Sequence, residues 1–283
     1  MDSLQYRGDP GLFGPGSVSW KVVGDVTAML GGIRALLIQA AHPEVVAGVA
    51  DHSLYRQDPL GRLSRTSAYV TATTFGALPE VEEAVERVRR AHRRVAGRSH
   101  RDVPYSADQP DLSAWVHNAL TDSFLVAYQR FGPQPLTREE ADAFVAEQAR
   151  IGRLLDADPL PETAAELARW LREHPGIGPS PGMRDAVDFL TSPPLDGVGV
   201  RAGYRVLQAG AVDTIPSSLR RVLGVSARPG AAPAAEALMR LLRWTLGPSP
   251  SWYLALVRSG ADIPEGFFKE MPPAEALESA TPR

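Results

Sequence analysis

Apolar residues recur at helical spacing along most of the chain. Between residues 20 and 41 they occupy positions 26, 29, 30, 33, 37 and 40, the three-to-four-residue period of an amphipathic helix. The same period predicts helices over residues 44–52, 61–75, 80–95, 110–131, 137–155, 163–173, 183–190, 201–212, 217–223, 233–246 and 250–259. No run of alternating polar and apolar residues bounded by turns stands out. The pattern therefore predicts an all-α fold, a mainly helical protein.

Local capping signals mark where several of these helices begin. Thr137 is followed three residues later by Glu140, and Thr163 by Glu166, the spacing of a capping box. Pro43 disfavours helical geometry at the residue before it and so places His42 at a helix end.

The chain carries no internal repeat and no segment with the composition of a linker. Its 283 residues suffice for a sizeable core, and we expect one helical domain over residues 1–283. Glycine and proline predict an extended arm over residues 1–19 and a Pro-rich tail over residues 260–283. The Pro- and Gly-rich residues 174–182 are expected to form a loop inside the domain.

Composition removes several classes of function. A net charge of −3 gives no electrostatic indication of a nucleic-acid partner. The absence of cysteine excludes thiolate catalysis, cysteine-ligated haem, iron–sulfur clusters and cysteine-type zinc sites. The longest apolar segment, residues 22–41, contains Asp25, Arg34 and Gln39 and predicts a core helix rather than a membrane span. No signal peptide is legible, so we expect a cytoplasmic protein without an integral membrane segment.

Five of the six histidines fall between residues 42 and 117, and of these His92 is the best candidate for a site residue. It continues a stripe of valines at positions 81, 85, 88 and 95, which points the imidazole inward. An inward histidine is more often a hydrogen-bonded core residue than a ligand. The stripe offers His92 no polar partner, however, and an unpartnered buried imidazole is costly, whereas haem iron would use its nitrogen.

Three polar residues on the preceding predicted helix, Arg62, Arg65 and Thr66, lie about one turn apart. Arginines at this spacing usually form a solvated face or a helix ion pair. The alternative is a clamp for haem propionates or a group poised over a metal-bound oxidant.

The other histidines have weaker claims. His42 and His52 could each cap a helix end. His100 and His174 have polar or Gly- and Pro-rich surroundings and are expected at the surface.

Motifs of other enzyme classes are missing from the sequence. It has no G-x-G-x-x-G after a strand, no Walker loop, no G-x-S-x-G elbow and no H-E-x-x-H or paired E-x-x-H motif. Dinucleotide enzymes, P-loop enzymes, α/β-hydrolases and carboxylate-bridged di-iron bundles are therefore disfavoured.

Six short segments occur in an order that resembles a known family. They are FGPGS-x-x-W, LLIQAAHPEVVAGVADHS, DPLGRLSRT, FG, RRAHRRVAG and YSADQPDLSAWVH. Each alone is weakly specific, but together they resemble the latex clearing protein and mycophenolic-acid pathway oxygenase family, whose members use b-type haem. The resemblance covers about residues 9–150, most strongly residues 30–120.

The resemblance implies a globin-like helical core, one haem b with its iron and, in the best-known members, cleavage of carbon–carbon double bonds by dioxygen. By position, His92 is similar to the proximal iron ligand. Arg62 and Thr66 are similar to the arginine and threonine of the family's R-x-x-[KR]-T motif on the other haem face. Latex clearing protein has an iron-ligating lysine in the fourth position, where Arg65 stays protonated and cannot ligate. Gly97 stands where the rubber-cleaving branch tends to carry a second histidine, so Arg65 and Gly97 both depart from the pattern of that branch.

These considerations predict a haem-dependent oxygenase acting on an apolar small molecule, with dioxygen or peroxide as oxidant and an unidentified electron donor. The iron would be five-coordinate or water-bound. We expect His92 to ligate the metal, Arg62, Arg65 and Thr66 to be catalytic, and these four with Arg89 and His117 to bind the cofactor. Two alternatives stay open: a haem carrier or sensor without turnover, and a cofactor-free helical protein whose histidines serve packing alone.

Overall fold

Thirteen α-helices and one short β-hairpin make up the part of the chain that the computed structural model describes, residues 3–53 and 55–263. The helices are α1 Val18–Val23, α2 Thr27–Gln39, α3 Pro43–His52, α4 Pro59–Phe75, α5 Leu78–His92, α6 Pro110–Phe131, α7 Arg138–Arg153, α8 Ala164–Glu173, α9 Pro181–Thr191, α10 Val198–Thr214, α11 Ser217–Leu223, α12 Ala231–Leu246 and α13 Pro250–Ser259. The predicted all-α fold class is confirmed.

Capping chemistry begins several helices where the sequence predicts. Glu140 N–H donates to Thr137 Oγ1 at 3.2 Å, and Thr137 N–H donates to Glu140 Oε2 at 2.8 Å. Thr163 and Glu166 make the same two bonds before α8. A proline in the first turn begins α3, α4, α5, α6, α9 and α13, where a missing backbone N–H costs least.

The prediction of one helix over residues 20–41 is wrong, because the chain turns between α1 and α2. Gly24 closes α1, and its carbonyl accepts a hydrogen bond from Ser249 N–H at 3.1 Å. Asp25 accepts from Thr27 N–H at 2.9 Å and receives two hydrogen bonds from Arg243 of α12, at 2.7 and 2.9 Å. Contacts from the C-terminal helices thus separate α1 from α2, although the helical spacing of apolar residues continues across the break.

Helices α2 and α6 pack together at the centre of the fold. Gly31 permits their close approach, since a Cβ there would lie 2.7 Å from the Phe124 ring and 3.1 Å from the Ser123 carbonyl oxygen. Arg34 of α2 donates to Asp122 at 2.7 Å and to Ser123 Oγ at 2.9 Å. The guanidinium is only 1% exposed, so this ion pair bridges the two helices away from water.

The β-hairpin joins α5 to α6 and is an element that the sequence pattern does not predict. Strands β1 Ala96–Arg98 and β2 Pro104–Ser106 pair antiparallel, with Gly97 opposite Tyr105. Tyr105 is buried against α3, where its hydroxyl donates to Asp51. Three residues are too few to display a strand period, so packing against α3 decides this hairpin.

The described part of the predicted N-terminal arm, residues 3–19, contains a 3-10 helix over Ser3–Tyr6 that contacts α13, and its last two residues belong to α1 instead of to an extended arm. Gly8 N–H donates to the Arg258 carbonyl at 2.7 Å, and Arg258 Nε donates to the Asp9 carbonyl at 2.8 Å. The predicted tail lies outside the described residues from position 264 onward. Among the described helices, none is both long enough and apolar enough to cross a membrane.

Candidate functional site

Helices α4 and α5 form a helical hairpin whose ends are set by local sequence. Asp58 caps α4 by accepting a hydrogen bond from Gly61 N–H at 2.9 Å. Glu80 accepts from Ala77 N–H at 2.9 Å at the start of α5. Only Gly76 and Ala77 separate the two helices, so the hairpin brings together the two segments in which the sequence places candidate site residues.

On α4, burial is greatest toward the hairpin turn, where residues 72–75 are buried, and it decreases away from the turn. Phe75 and Val81, beside the turn, are buried. Farther along α5, Val88 and His92 are half-buried, and on α4 every residue from 63 to 68 is exposed. Residues 63–68 of α4 therefore present polar and apolar side chains that no other described element covers.

The three predicted residues of α4 lie on one face, because they are three and four residues apart. Arg62 is half-buried and donates to Ser53 Oγ, and burial together with the charge of Arg65 lowers the pKa of Arg62. Arg65 is exposed and forms an ion pair with Asp58 at 3.4 Å. Thr66 is also exposed and donates to the Arg62 carbonyl at 3.2 Å. Of the three side chains, Arg62 is the one drawn inward.

His92 lies in the last turn of α5 and is half-buried. Burial lowers the pKa of its imidazole below the usual 6.5, and the carboxylate of Asp108 offsets part of that shift. No hydrogen bond to the ring occurs within the described ranges. At neutral pH the imidazole is therefore uncharged and keeps a nitrogen lone pair for a ligand, the form in which histidine binds metals.

Tyr69 belongs to the same face of α4 and was missed by the sequence analysis. Its hydroxyl is buried and has no hydrogen-bond partner in the part of the chain that the structure describes. Burial also raises the pKa of the phenol. The sequence does place Tyr69 on the same helix face as Arg62, seven residues earlier. A tyrosine at such a position is usually explained by packing alone.

These donors fit a b-type haem. The iron takes a neutral imidazole, which His92 offers, and a haem propionate pairs with a guanidinium, which Arg62 offers at a half-buried position. Val88, one turn before His92, supplies apolar surface for a macrocycle. Within the described residues, no three His, Asp or Glu side chains cluster as a metal site, and haem requires no such cluster.

Two further candidates, Arg89 and His117, contact α7 or the turn that follows it. Arg89 donates to the Leu154 carbonyl and to Asp156, both at 3.1 Å, in the turn after α7. The His117 ring lies where a Cβ on Gly152 would come within 2.9 Å of it. In the described ranges neither side chain forms a hydrogen bond or ion pair with a residue of α4, and their polar partners lie away from Arg62.

His174, expected at the surface, lines an open groove but also packs among aromatic rings. Its ring is half-buried, with its centroid 4.7 Å from that of Trp170, 4.8 Å from that of Trp115 and 5.3 Å from that of His42. His42 is buried at the start of α3 but makes no capping bond, and its Nδ1 lies 3.4 Å from Glu44 without hydrogen-bond geometry. Burial, with a contribution from His174, lowers the pKa of His42 to about 4. Aromatic packing, which the local sequence does not reveal, decides both positions.

His52 and His100 are both exposed. His52 Nε2 lies 3.1 Å from the Ala96 carbonyl oxygen, so this ring tethers α3 to β1 rather than capping its own helix. The surface position expected for His100 is confirmed.

Two open grooves lie outside the α4 face. One, of about 390 Å³, is lined by residues that include Trp170, His174 and Arg169. The other, of about 300 Å³, lies between α5 and the turn after α7 and includes Arg89 and Leu154. Neither groove is lined by His92 or by α4, so the candidate site is the uncovered helix face itself.

A half-buried His117 that is neutral in the folded protein should make the protein less stable in acid. Burial lowers its pKa to about 4, although a hydrogen bond to the Gln148 backbone opposes the shift. Between pH 6.5 and 4 the unfolded chain then binds more protons than the folded one, so the free energy of unfolding falls as the pH falls. The loss from this group reaches about 3 kcal/mol.

We expect His117→Gln to reduce this acid-dependent loss, measured as the difference in unfolding free energy between pH 7 and pH 4.5. His100→Gln is the matched control, because His100 is exposed. Equal acid sensitivity of the two variants would show that His117 titrates normally.

Comparison with known proteins adds one finding. A family model described as "ER-bound oxygenase mpaB/B'/Rubber oxygenase, catalytic domain" matches residues 20–244. The match includes α4 and α5 and continues well past residue 150, where the resemblance in the sequence fades. No curated protein and no solved structure matches this chain significantly. Since the matched residues make up most of the chain, the protein belongs to the mpaB/rubber oxygenase catalytic-domain family of oxygenases.

Proposed function

We propose that this protein is a haem b-dependent oxygenase that oxidises or oxidatively cleaves an apolar small molecule, with dioxygen or peroxide as the oxidant. The observation that carries the proposal is His92, a neutral, half-buried imidazole without a hydrogen-bond partner in the described residues. It ends a helix that forms a hairpin with α4, whose open face carries Arg62, Arg65 and Thr66. Membership of an oxygenase family supports the reaction class.

In this proposal His92 ligates the iron and Arg62 pairs with a propionate. The bound haem supplies the redox chemistry of its iron. The guanidinium of Arg65 offers no lone pair to iron but can donate hydrogen bonds to an oxygen that gains negative charge. The Thr66 hydroxyl donates to the Arg62 carbonyl, and its oxygen can still accept a hydrogen bond from a bound ligand. An apolar substrate would reach the site across the exposed first half of α4, where Leu63 is 55% exposed.

The experiment that tests the proposal is absorption spectroscopy of the purified protein, as isolated and after addition of haem, followed by oxygen-uptake measurements. We expect a Soret band and oxygen consumption that depends on an added apolar olefin or aromatic compound. No Soret band after reconstitution would contradict haem dependence. A Soret band without oxygen or peroxide consumption for any apolar compound would favour a haem carrier or sensor.

Replacing Arg65 distinguishes a haem oxygenase from a haem carrier, because only an oxygenase needs this side chain for turnover. We expect Arg65→Ala to keep its haem but to lower kcat about 100-fold, the usual effect of removing a donor that stabilises developing negative charge. Haem content and substrate-dependent oxygen uptake are the two measurements. Arg87→Ala is the matched control, since Arg87 is an exposed arginine paired with Glu83 on α5. Unchanged turnover in Arg65→Ala would remove Arg65 from the catalytic machinery.

A further inference from the structure

Tyr69 carries a polar group to which the proposed function gives no role. The hydroxyl is buried, yet no hydrogen-bond partner reaches it in the described residues. Buried hydroxyls are normally paired, and phenylalanine would fill the same space without the cost of desolvating an unpaired group. The hydroxyl therefore calls for a partner that is not part of the described protein.

The position of Tyr69 on α4 indicates where that partner would be. It follows Arg65 by four residues, Thr66 by three and Arg62 by seven, so the four side chains line one helix face. Thr66 and Thr73 on this helix donate to carbonyls four residues earlier, at 3.2 and 2.9 Å, and so need no further acceptor. Among the described hydroxyl groups of this face, that of Tyr69 is thus the one that has no acceptor for its proton.

We propose that the Tyr69 hydroxyl would donate a hydrogen bond to a small anionic ligand bound to the haem iron. This inference rests on the proposed function and extends it by adding a ligand-binding residue beside Arg65. Because burial raises the pKa of Tyr69, the phenol keeps its proton through the neutral range and can donate. A neutral donor complements Arg65, whose charge is partly engaged by Asp58 at 3.4 Å.

Tyr204 provides a matched control for a purely structural tyrosine. It is also partly buried, but its hydroxyl donates to the Leu190 carbonyl at 2.7 Å. Replacing each tyrosine by phenylalanine therefore removes the same atom from two different situations. Tyr204→Phe breaks a hydrogen bond within the protein, whereas Tyr69→Phe breaks none that the structure describes.

The first arm of the test is the thermal unfolding midpoint of the haem-free chain. We expect Tyr204→Phe to lower the midpoint and Tyr69→Phe to leave it unchanged or raise it. A Tyr69→Phe midpoint as low as that of Tyr204→Phe would mean that the hydroxyl has a structural partner, and would overturn the inference.

The second arm is titration of the ferric, haem-loaded proteins with fluoride, followed by absorption. We expect Tyr69→Phe to bind fluoride about tenfold more weakly than wild type, the effect of losing one hydrogen bond to a charged acceptor, and Tyr204→Phe to match wild type. Equal fluoride affinity in Tyr69→Phe with full haem retention would overturn the role of Tyr69 and leave the proposed function standing. A wild-type chain that takes up no haem would overturn both.

Discussion

His92→Ala is expected to lose stable haem binding, giving a weak or absent Soret band under conditions in which the wild-type protein is saturated. The variant removes the His92 imidazole, whose ring nitrogens form no hydrogen bond with a described residue. Loss of an outer-shell partner alone costs about 10- to 100-fold in metal affinity, so loss of the ligand itself should cost at least about 100-fold. Titration of the haem-free protein with haem, followed at the Soret band, measures the change.

His100→Ala is the control for His92→Ala, because it removes an exposed histidine from the hairpin that follows α5. Added imidazole should restore part of the Soret band in His92→Ala if the space left by the side chain admits it. Circular dichroism of the helices should not change, since His92 is only half-buried at a helix end. Full haem retention with an unchanged spectrum would assign the iron to another ligand.

Asp122→Ala is expected to lower the free energy of unfolding by about 3–5 kcal/mol, the effect of leaving a buried charge without its partner. Arg34 is 1% exposed and donates to Asp122 at 2.7 Å, while its Nε has no partner among the described residues. Without the carboxylate, the described partners left to the guanidinium are Ser123 Oγ and the Thr214 carbonyl at a long 3.5 Å. Urea unfolding followed by circular dichroism measures the loss.

Glu83→Ala is the matched control for Asp122→Ala, because Glu83 pairs with Arg87 on the exposed side of α5. Exposed pairs contribute less than about 1 kcal/mol, so this variant should be close to wild type. The double variant Arg34→Met/Asp122→Leu should recover much of the stability, since it removes both charges from the interior. If Asp122→Ala lowered the free energy of unfolding no more than Glu83→Ala does, the Arg34–Asp122 ion pair would be accessible to water.

The predicted residues of α4 come together because their arrangement is local. Residues three and four positions apart share a helix face, and Asp58 and Pro59 begin that helix whatever packs against it. The predicted partners outside the hairpin, Arg89 and His117, depend on distant contacts instead. The turn after α7 engages Arg89, and the side of α7 near Gly152 receives His117. Helical period cannot show which neighbouring helix a flanking side chain meets.

The sequence by itself determined the helical class, the capped starts of α7 and α8, and the common face of Arg62, Arg65 and Thr66. These features follow from bonds and spacings within one or two turns of chain. Only the tertiary structure decided the break at Gly24, the packing of the half-buried His174 among aromatic rings and the buried Tyr69 hydroxyl that no described residue pairs with. Each of these depends on which groups from distant segments approach a residue and which do not. That is the product of packing, and no local pattern encodes it.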